Sequence, residues 1–286
     1  QRDVERALDA ARAVAIPADR EVIHILPQEY IVDNQRGIAD PLGMAGVRLE
    51  VKVHIVTGAV TSAQNIVRSC HKSGLDVSDI VLESLASAKA VLTEEEREIG
   101  VALIDLGGGT CDIAIFANDS IKHTGVLALG GQNLTNDIAF GLRTPMAAAE
   151  KIKIKHGAAI AEMVRPDEYI EVPSVGGREP RRLSRQVLAE ICEPRMEEIL
   201  TLLDQELVRS GLKNMIGAGV VLTGGTALIQ GCQELGEQVF NLPTRIGYPR
   251  NVGGLKDVVN SPKFSTAVGL LRYGAEKEVS GQKKFT

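Results

Sequence analysis

The residues best suited to chemistry gather in Val101 to Phe116, VALIDLGGGTCDIAIF, where an apolar run ends in Asp105 and passes into Gly107, Gly108, Gly109 and Thr110. Three successive glycines let backbone N–H groups converge with no Cβ in the way, which suits an anion such as a phosphate. Asp105 is placed to hold the waters of a Mg²⁺ bound to that anion, and Thr110 adds a hydroxyl. The plainer reading is a tight hairpin whose glycines serve only the turn. A dinucleotide fingerprint is excluded, because the spacing is not GxGxxG and the glycines precede a period-two pattern rather than a helix.

Further positions invite the same question. Thr223, Gly224, Gly225 and Thr226 follow the apolar run Ile216 to Leu222, and a helix is expected to start near Ala227. A strand, a double glycine and a helix start make a second approach for an anion or nucleotide. Glu150 and Lys153 share one helical face, where they can meet a common ligand or pair with each other; spacing alone favours the pair. Glu83 stands where a short strand meets a helix, a place where a carboxylate more often complements the helix dipole than acts in catalysis. Arg178, Arg181, Arg182 and Arg185, with Arg195 beyond them, form a basic cluster in an acidic chain, read first as a solvated face.

The elements that position these residues follow from periodicity. A helix is expected over Arg2 to Val14, then strands over Glu21 to Asp33 and Val47 to Thr57, joined by a glycine-rich loop from Gly37 to Gly46. Helices are expected over Thr61 to Ser73 and Leu85 to Leu92, with a short strand Asp79 to Leu82 between them. TEEERE reads as a solvated turn before the hairpin, whose second strand alternates as if half-buried. A strand over Ser120 to Leu129, helices over Asn133 to Leu142 and Pro145 to His156, a loop from Pro173 to Arg185 and a long helix from Gln186 to Ser210 follow. Ser261 to Tyr273 is a helix whose Ala267 and Gly269 permit close helix packing. Such alternation favours a sheet covered by helices.

Composition narrows the function classes. The chain has 286 residues, 32 basic against 37 acidic, and 3% aromatics without tryptophan, so it lacks the charge and stacking platforms of a nucleic-acid binder. Four separated cysteines and five histidines show no metal-ligand spacing, which fits a reduced cytoplasmic chain. No apolar run is long enough to cross a bilayer. Both ends are read as cut from a longer protein.

Together the motifs resemble the actin-like ATPase superfamily, an α/β, ribonuclease H-like fold shared by actin, bacterial filament proteins, heat-shock chaperone ATPases and sugar kinases. Asp105 to Thr110 resembles its second phosphate hairpin, VVLTGGTA its adenosine turn, FSTAVGL its second connecting helix, and Glu150 with Lys153 the pair near ribose and adenine. Nearly the whole chain is similar to the FtsA family of bacterial cell-division proteins, through VIHILPQEYIVD, GVRLEVKVHIVTG, VLESLASAKAVLTEEEREIGVALIDLGGGTCDIAIF, VPSVGGREPRRLSRQVLAEICEPR and STAVGLLRYG.

The resemblance implies ATP and Mg as cofactors, slow hydrolysis at most, and self-assembly into filaments. It further implies a protein that tethers FtsZ to the inner face of the membrane at the division site, with no nucleic acid involved. It divides the chain into subdomain IC (1–57), part of IA (58–98), IIA (99–154 and 218–273), IIB (155–217) and the start of a C-terminal linker (274–286). IC is implied as the contact for other divisome proteins, and IIB, through Arg181 and Arg195, as the site for the FtsZ C-terminal tail. Glu83 falls where relatives hold a polar residue near the attacking water. The N-terminal phosphate hairpin and the C-terminal lipid-binding helix of the family are absent from this sequence. Loss of two N–H bonds to phosphate, each worth roughly 1.5 to 3 kcal/mol, implies ATP affinity lowered by about 10² to 10⁴. Two other readings stand beside this one: a pilus-assembly actin homologue that binds a membrane protein tail, and a sugar kinase of the same superfamily.

Overall fold

The computed structural model describes residues 1–176, 178–254 and 256–279. Its first part is a small module in which helix α1 (Arg2–Arg12) lies on an antiparallel sheet of order β2-β1-β3. The strands are β1 (Arg20–Val32), β2 (Gln35–Ile38) and β3 (Leu49–Ala59), so the expected loop from Gly37 begins inside a strand. Pro27 cannot donate to a ladder, and the register of β1 against β3 shifts between Pro27 and Glu29, a bulge that accommodates it. Asp33, at φ 54°, accepts the amides of Val47 (3.0 Å) and Arg48 (2.9 Å) and so returns the loop to β3.

Helix α2 (Val60–Lys72) follows β3 directly. The strand expected over Asp79 to Leu82 does not form: the segment has no regular structure, and the Leu82 amide donates to Nε2 of His24 (3.0 Å) instead of to a ladder. Helix α3 (Glu83–Val91) comes next, and TEEERE is a helix, α4 (Glu94–Ile99), rather than a solvated turn. Its cause is a capping box, with Glu96 N–H donating to Thr93 Oγ1 (3.1 Å) and Thr93 N–H to Glu96 Oε2 (2.8 Å). Glu96 is also held at 2.7 and 2.8 Å by Arg245, which ties the helix down.

The body contains strands β4 (Val101–Leu106), β5 (Cys111–Ala117) and β6 (Ser120–Leu127), then helices α5 (Gly131–Leu142) and α6 (Met146–His156). A two-stranded sheet of β7 (Tyr169–Val172) and β8 (Arg181–Ser184) leads into α7 (Arg185–Arg209). The remaining elements are β9 (Val220–Thr223), α8 (Cys232–Phe240), β10 (Thr244–Ile246), α9 (Lys256–Val259) and α10 (Ser265–Val279). The main sheet has the order β10-β9-β4-β5-β6, with β9 and β10 parallel to β4 and the other pairs antiparallel.

Helices cover both faces of this sheet. Ile104, Leu106, Ile113 and Ile115 join the apolar stripes of α5, α7 and α8, while Val101, Leu103, Ala114 and Phe116 join α3 and Val268 of α10. Every residue of β5 is therefore buried, in place of the half-buried strand that its alternation suggested. α3 and α10 meet backbone to backbone, because a Cβ on Gly269 would lie 1.7 Å from the carbonyl oxygen of Ala86.

Past β9 the expected helix at Ala227 is a single 3₁₀ turn, Thr226–Leu228, and α8 begins only at Cys232. Gln230 is drawn into an isolated parallel bridge with Ala158 instead, Ala159 N–H donating to the Gln230 carbonyl (2.7 Å). The strand expected from Ile216 starts at Val220, since Gly219 turns at φ 87°. The expected linker, 274–286, continues α10 through Val279, and its remainder lies outside the described residues.

Candidate functional site

β4 and β5 place Asp105 directly opposite Asp112, and residues 107–110 turn between them. The turn is fixed from behind: Gly107 N–H donates to Thr110 O (3.0 Å), and the Gly107 carbonyl accepts from Gly131 N–H (2.9 Å) and Thr226 Oγ1 (3.0 Å). The Gly108 carbonyl accepts from Gln132 N–H (2.7 Å). The first amides of α5 are thus engaged by the hairpin, whereas the N–H groups of Gly108 and Gly109 donate to nothing among the described residues.

The glycines divide into two kinds. A Cβ on Gly107 would lie 2.8 Å from the Thr110 carbonyl oxygen, and one on Gly131 would lie 2.4 Å from Thr226 Oγ1. Gly224, at φ 88°, would meet Asp105 Oδ1 at 2.4 Å. Packing requires these three. A Cβ on Gly108 or Gly109 would meet nothing within 4 Å, neither takes a positive φ, and Gly225 has only Lys263 Cβ at 3.9 Å. Neither packing nor backbone conformation demands glycine at these positions. A small residue that leaves its amide bare to the open side is what a closely approaching anion requires.

Beneath the turns lies a group of carboxylates. Asp105 is 4% exposed, and its Oδ2 accepts from Ser87 Oγ (2.7 Å) and Thr266 Oγ1 (3.5 Å). Burial pushes its pKa up and those two bonds pull it back. Asp112 is raised by burial and then by the charge of Asp105, against a bond from Thr110. Glu83, at the start of α3, is raised by burial, then by Asp105 and Asp112, with Thr266 opposing. Three carboxyl groups that resist ionisation together form a hard-oxygen donor set suited to a hydrated Mg²⁺. Among the described residues no His, Cys, Asp or Glu side chains are grouped closely enough to chelate an ion directly, so the fit is to a cation that keeps its waters.

Beside the glycines a cavity of about 310 Å³ is lined by Gly107, Gly108, Glu150, Lys153, Gly225 and Thr226, with Ile154, Leu228, Ile229 and Lys263 at its sides. Six positions singled out from three separate stretches of sequence therefore share one wall. Lys153 is buried and donates to Glu150 Oε2 (2.7 Å), the Gly131 carbonyl (2.9 Å) and Thr135 Oγ1 (2.8 Å), so the sequence pair is an ion pair that also lines the cavity. Burial opposes ionisation of Glu150, but the bonds from Lys153 and Thr135 hold its pKa below the usual value. Ser87, Thr266, Asp112, Ile154, Leu228 and Lys263 escaped sequence reasoning. Only Ser87, one helical turn after Glu83, and Thr266, inside STAVGL, carried a positional signal.

The two arginines lie elsewhere and converge on α5. Arg195 holds Asp137 (2.5 Å) and Glu198, and Arg181 donates to the Leu142 carbonyl. Both guanidinium groups are engaged within the chain.

Comparison with known proteins adds the following. The family model described as Cell division protein FtsA matches residues 102–269, and that described as SHS2 domain inserted in FTSA matches 1–57. The cell division protein FtsA of Pseudomonas aeruginosa is 56% identical over 279 residues, which cover 98% of this chain and 67% of that protein. The FtsA of Escherichia coli K12 is 45% identical over 289 residues, 99% of this chain and 69% of that protein. Among solved structures, the PilM-PilN type IV pilus biogenesis complex superposes with TM-score 0.64 at 16% identity, covering 96% of this chain and 72% of that one. MreB 5 of Spiroplasma citri bound to AMPPNP gives TM-score 0.58 at 19% identity, covering 78% of this chain and 68% of that one. The architecture is that of the actin-like ATPases.

Proposed function

Because the chain belongs to the family of the bacterial cell division protein FtsA, we propose that it forms the nucleotide-holding part of an actin-like adaptor that polymerises and tethers FtsZ filaments to the membrane at the septum. The observation that carries this reading is the cavity that Gly107 and Gly108 of one glycine turn share with Gly225 and Thr226 of another, with Glu150 and Lys153 on the flank and the Gly108 amide without a partner among the described residues. MreB 5, a protein of the same fold, is bound to AMPPNP in its solved structure. The family assignment ranks division above the pilus and sugar-kinase readings.

In this reading Gly108 and Gly109 bind the phosphates through their amides, Thr110 adds its hydroxyl, and the Gly224 to Thr226 turn bears the nucleoside. Glu83, Asp105 and Asp112 would hold a hydrated Mg²⁺, which when bound supplies charge neutralisation for the phosphates. Asp105 is oriented by Ser87 and Thr266, and Glu83 orients water where turnover occurs. Gly224 locks β9 over Asp105, so one ligand across both turns couples the strands that carry them. In this reading Arg181 of β8 and Arg195 of α7, whose guanidinium groups also hold α5, contact the FtsZ tail, and residues 1–57 present the face for other divisome proteins. No helix among the described residues is long and apolar enough to cross a membrane, so in this reading attachment at the inner face is peripheral.

The test is fluorescence anisotropy of a labelled FtsZ C-terminal tail peptide with and without Mg-ATP. Saturable binding that weakens in Arg181→Glu and Arg195→Glu supports the reading. A folded protein that binds neither peptide nor nucleotide overturns it.

A further inference from the structure

The cavity contains two lysines in opposite circumstances. Lys153 is buried, and its ammonium is engaged by a carboxylate, a carbonyl and a hydroxyl. The positive charge it brings is cancelled by Glu150 in the same wall. Lys263 is exposed, lines the same cavity, and forms no ion pair among the described residues; its ammonium rests 4.8 Å from the ring centre of Phe264. Among the described lining residues Lys263 therefore supplies the cavity's net charge.

Its backbone is also held in place. The carbonyl of Pro262, one residue before, accepts from Gly224 N–H (3.3 Å) and Thr223 Oγ1 (3.4 Å). Two residues after, Ser265 shares a 2.6 Å hydroxyl contact with Thr223. The Cα of Lys263 is thus fixed to the second glycine turn, and its Cβ lies beside Gly225, while its ammonium is held by no ion pair among the described residues. The same cavity is lined by Ile154, 75% exposed, and Leu228, 47% exposed, an apolar pair suited to the faces of a base and indifferent to charge.

We propose that Lys263 is the residue by which the cavity distinguishes a phosphorylated nucleotide from the free nucleoside, a role that the engaged Lys153 does not fill. This rests on the nucleotide reading above and assigns the charge recognition within it to one side chain. An ammonium on a flexible stem acts as a point charge, so arginine can replace it and a neutral residue cannot.

The experiment titrates the full-length protein with Mg-ATP, Mg-ADP, AMP and adenosine by calorimetry at low and high salt, comparing wild type with Lys263→Met, Lys263→Arg and Lys263→Glu. Because the residue is exposed, all three variants are expected to fold, which circular dichroism checks. Lys263→Met should bind ATP and ADP roughly five- to tenfold more weakly, the range for a solvent-accessible charged contact, with adenosine unchanged. Lys263→Glu should lose more, and Lys263→Arg should restore most of the affinity. The difference should shrink at high salt. Equal ATP affinity in wild type and Lys263→Met, or equal losses for adenosine and ATP, overturns this inference alone. A wild-type protein that binds no phosphorylated nucleotide overturns the nucleotide reading and this inference with it.

Discussion

The cavity between the glycine turns and the seam that joins the N-terminal sheet to the body are both polar, but they differ in whether their groups have partners. At the seam Gln28 donates to the carbonyls of Ile121 (2.8 Å) and Lys122 (3.1 Å), while its own carbonyl accepts from Ser120 Oγ (3.1 Å). His54 meets Thr124 at 2.9 Å and His24 accepts from Leu82 at 3.0 Å. Around the glycine turns the amides of Gly108 and Gly109 have no hydrogen-bond partner and the Lys263 ammonium no ion pair among the described residues, and beneath them the pKa values of three carboxyls are raised. A polar surface whose groups satisfy one another holds a fold together. One whose groups do not is arranged for something to enter.

The largest effect expected from this contrast lies within the site itself. Gly224→Ala combines a φ of 88° with a Cβ 2.4 Å from Asp105 Oδ1, and should cost about 3 kcal/mol or more in urea denaturation. Gly108→Val should stay within about 0.5 kcal/mol of wild type yet weaken Mg-ATP binding by about tenfold or more, measured by calorimetry. If Gly108→Val destabilised the fold and Gly224→Ala did not, the division of the glycines into packing and ligand positions would be wrong.

Much of the site was legible because glycine and aspartate announce themselves: GGGT and TGGT give their positions without a fold. Glu150 and Lys153 were legible as a pair, but that they face Gly107 is a property of the chain path alone. Lys263, Ile154 and Leu228 belong to no local pattern, and only the cavity makes them neighbours. The burial of both faces of β5 was hidden by Asp112, whose polarity imitated a solvated face, although the residue is only 8% exposed beside Asp105. α4 was signalled by Thr93 and Glu96, yet its acidic run looked like a turn. The late start of α8 depends on pairing of Gln230 with Ala159, which no local periodicity carries.

The seam supplies the next effect. His24 is 8% exposed and accepts the Leu82 amide just before Glu83. Replacing it by phenylalanine leaves that N–H without a partner, at a cost of about 1 to 3 kcal/mol. Chemical denaturation reads the loss, and hydrogen exchange at Leu82 should report faster opening. An unchanged midpoint would mean that the seam is as incomplete as the cavity.

The smallest effect decides the comparison most directly, because the two regions respond to pH with opposite sign. The folded pKa values of Asp105, Asp112 and Glu83 are raised, chiefly by burial. The folded chain therefore retains protons that the unfolded chain releases, and stability from these groups falls as pH rises from about 4. The pKa values of His24 and His54 are lowered, first by burial, with Lys277 adding to the effect on His24 against Asp79 and His123 adding to that on His54. Their contribution is present above about pH 6.5 and is lost as pH falls through the lowered folded values. Asp112→Asn removes one member of the carboxyl group while keeping an oxygen for Thr110. It should therefore be neutral at acid pH and more stable than wild type at pH 7 by up to about 1 kcal/mol, the range of relief from a like-charge contact. Urea midpoints measured between pH 4 and 7.5 should show the gap between variant and wild type widening upward, with the histidine-dependent fall at acid pH common to both. A variant less stable than wild type at pH 7 would mean that the bond from Thr110 outweighs the repulsion from Asp105. In that case the carboxyl cluster would be a completed network of the same kind as the seam, with no deficit for a cation to fill.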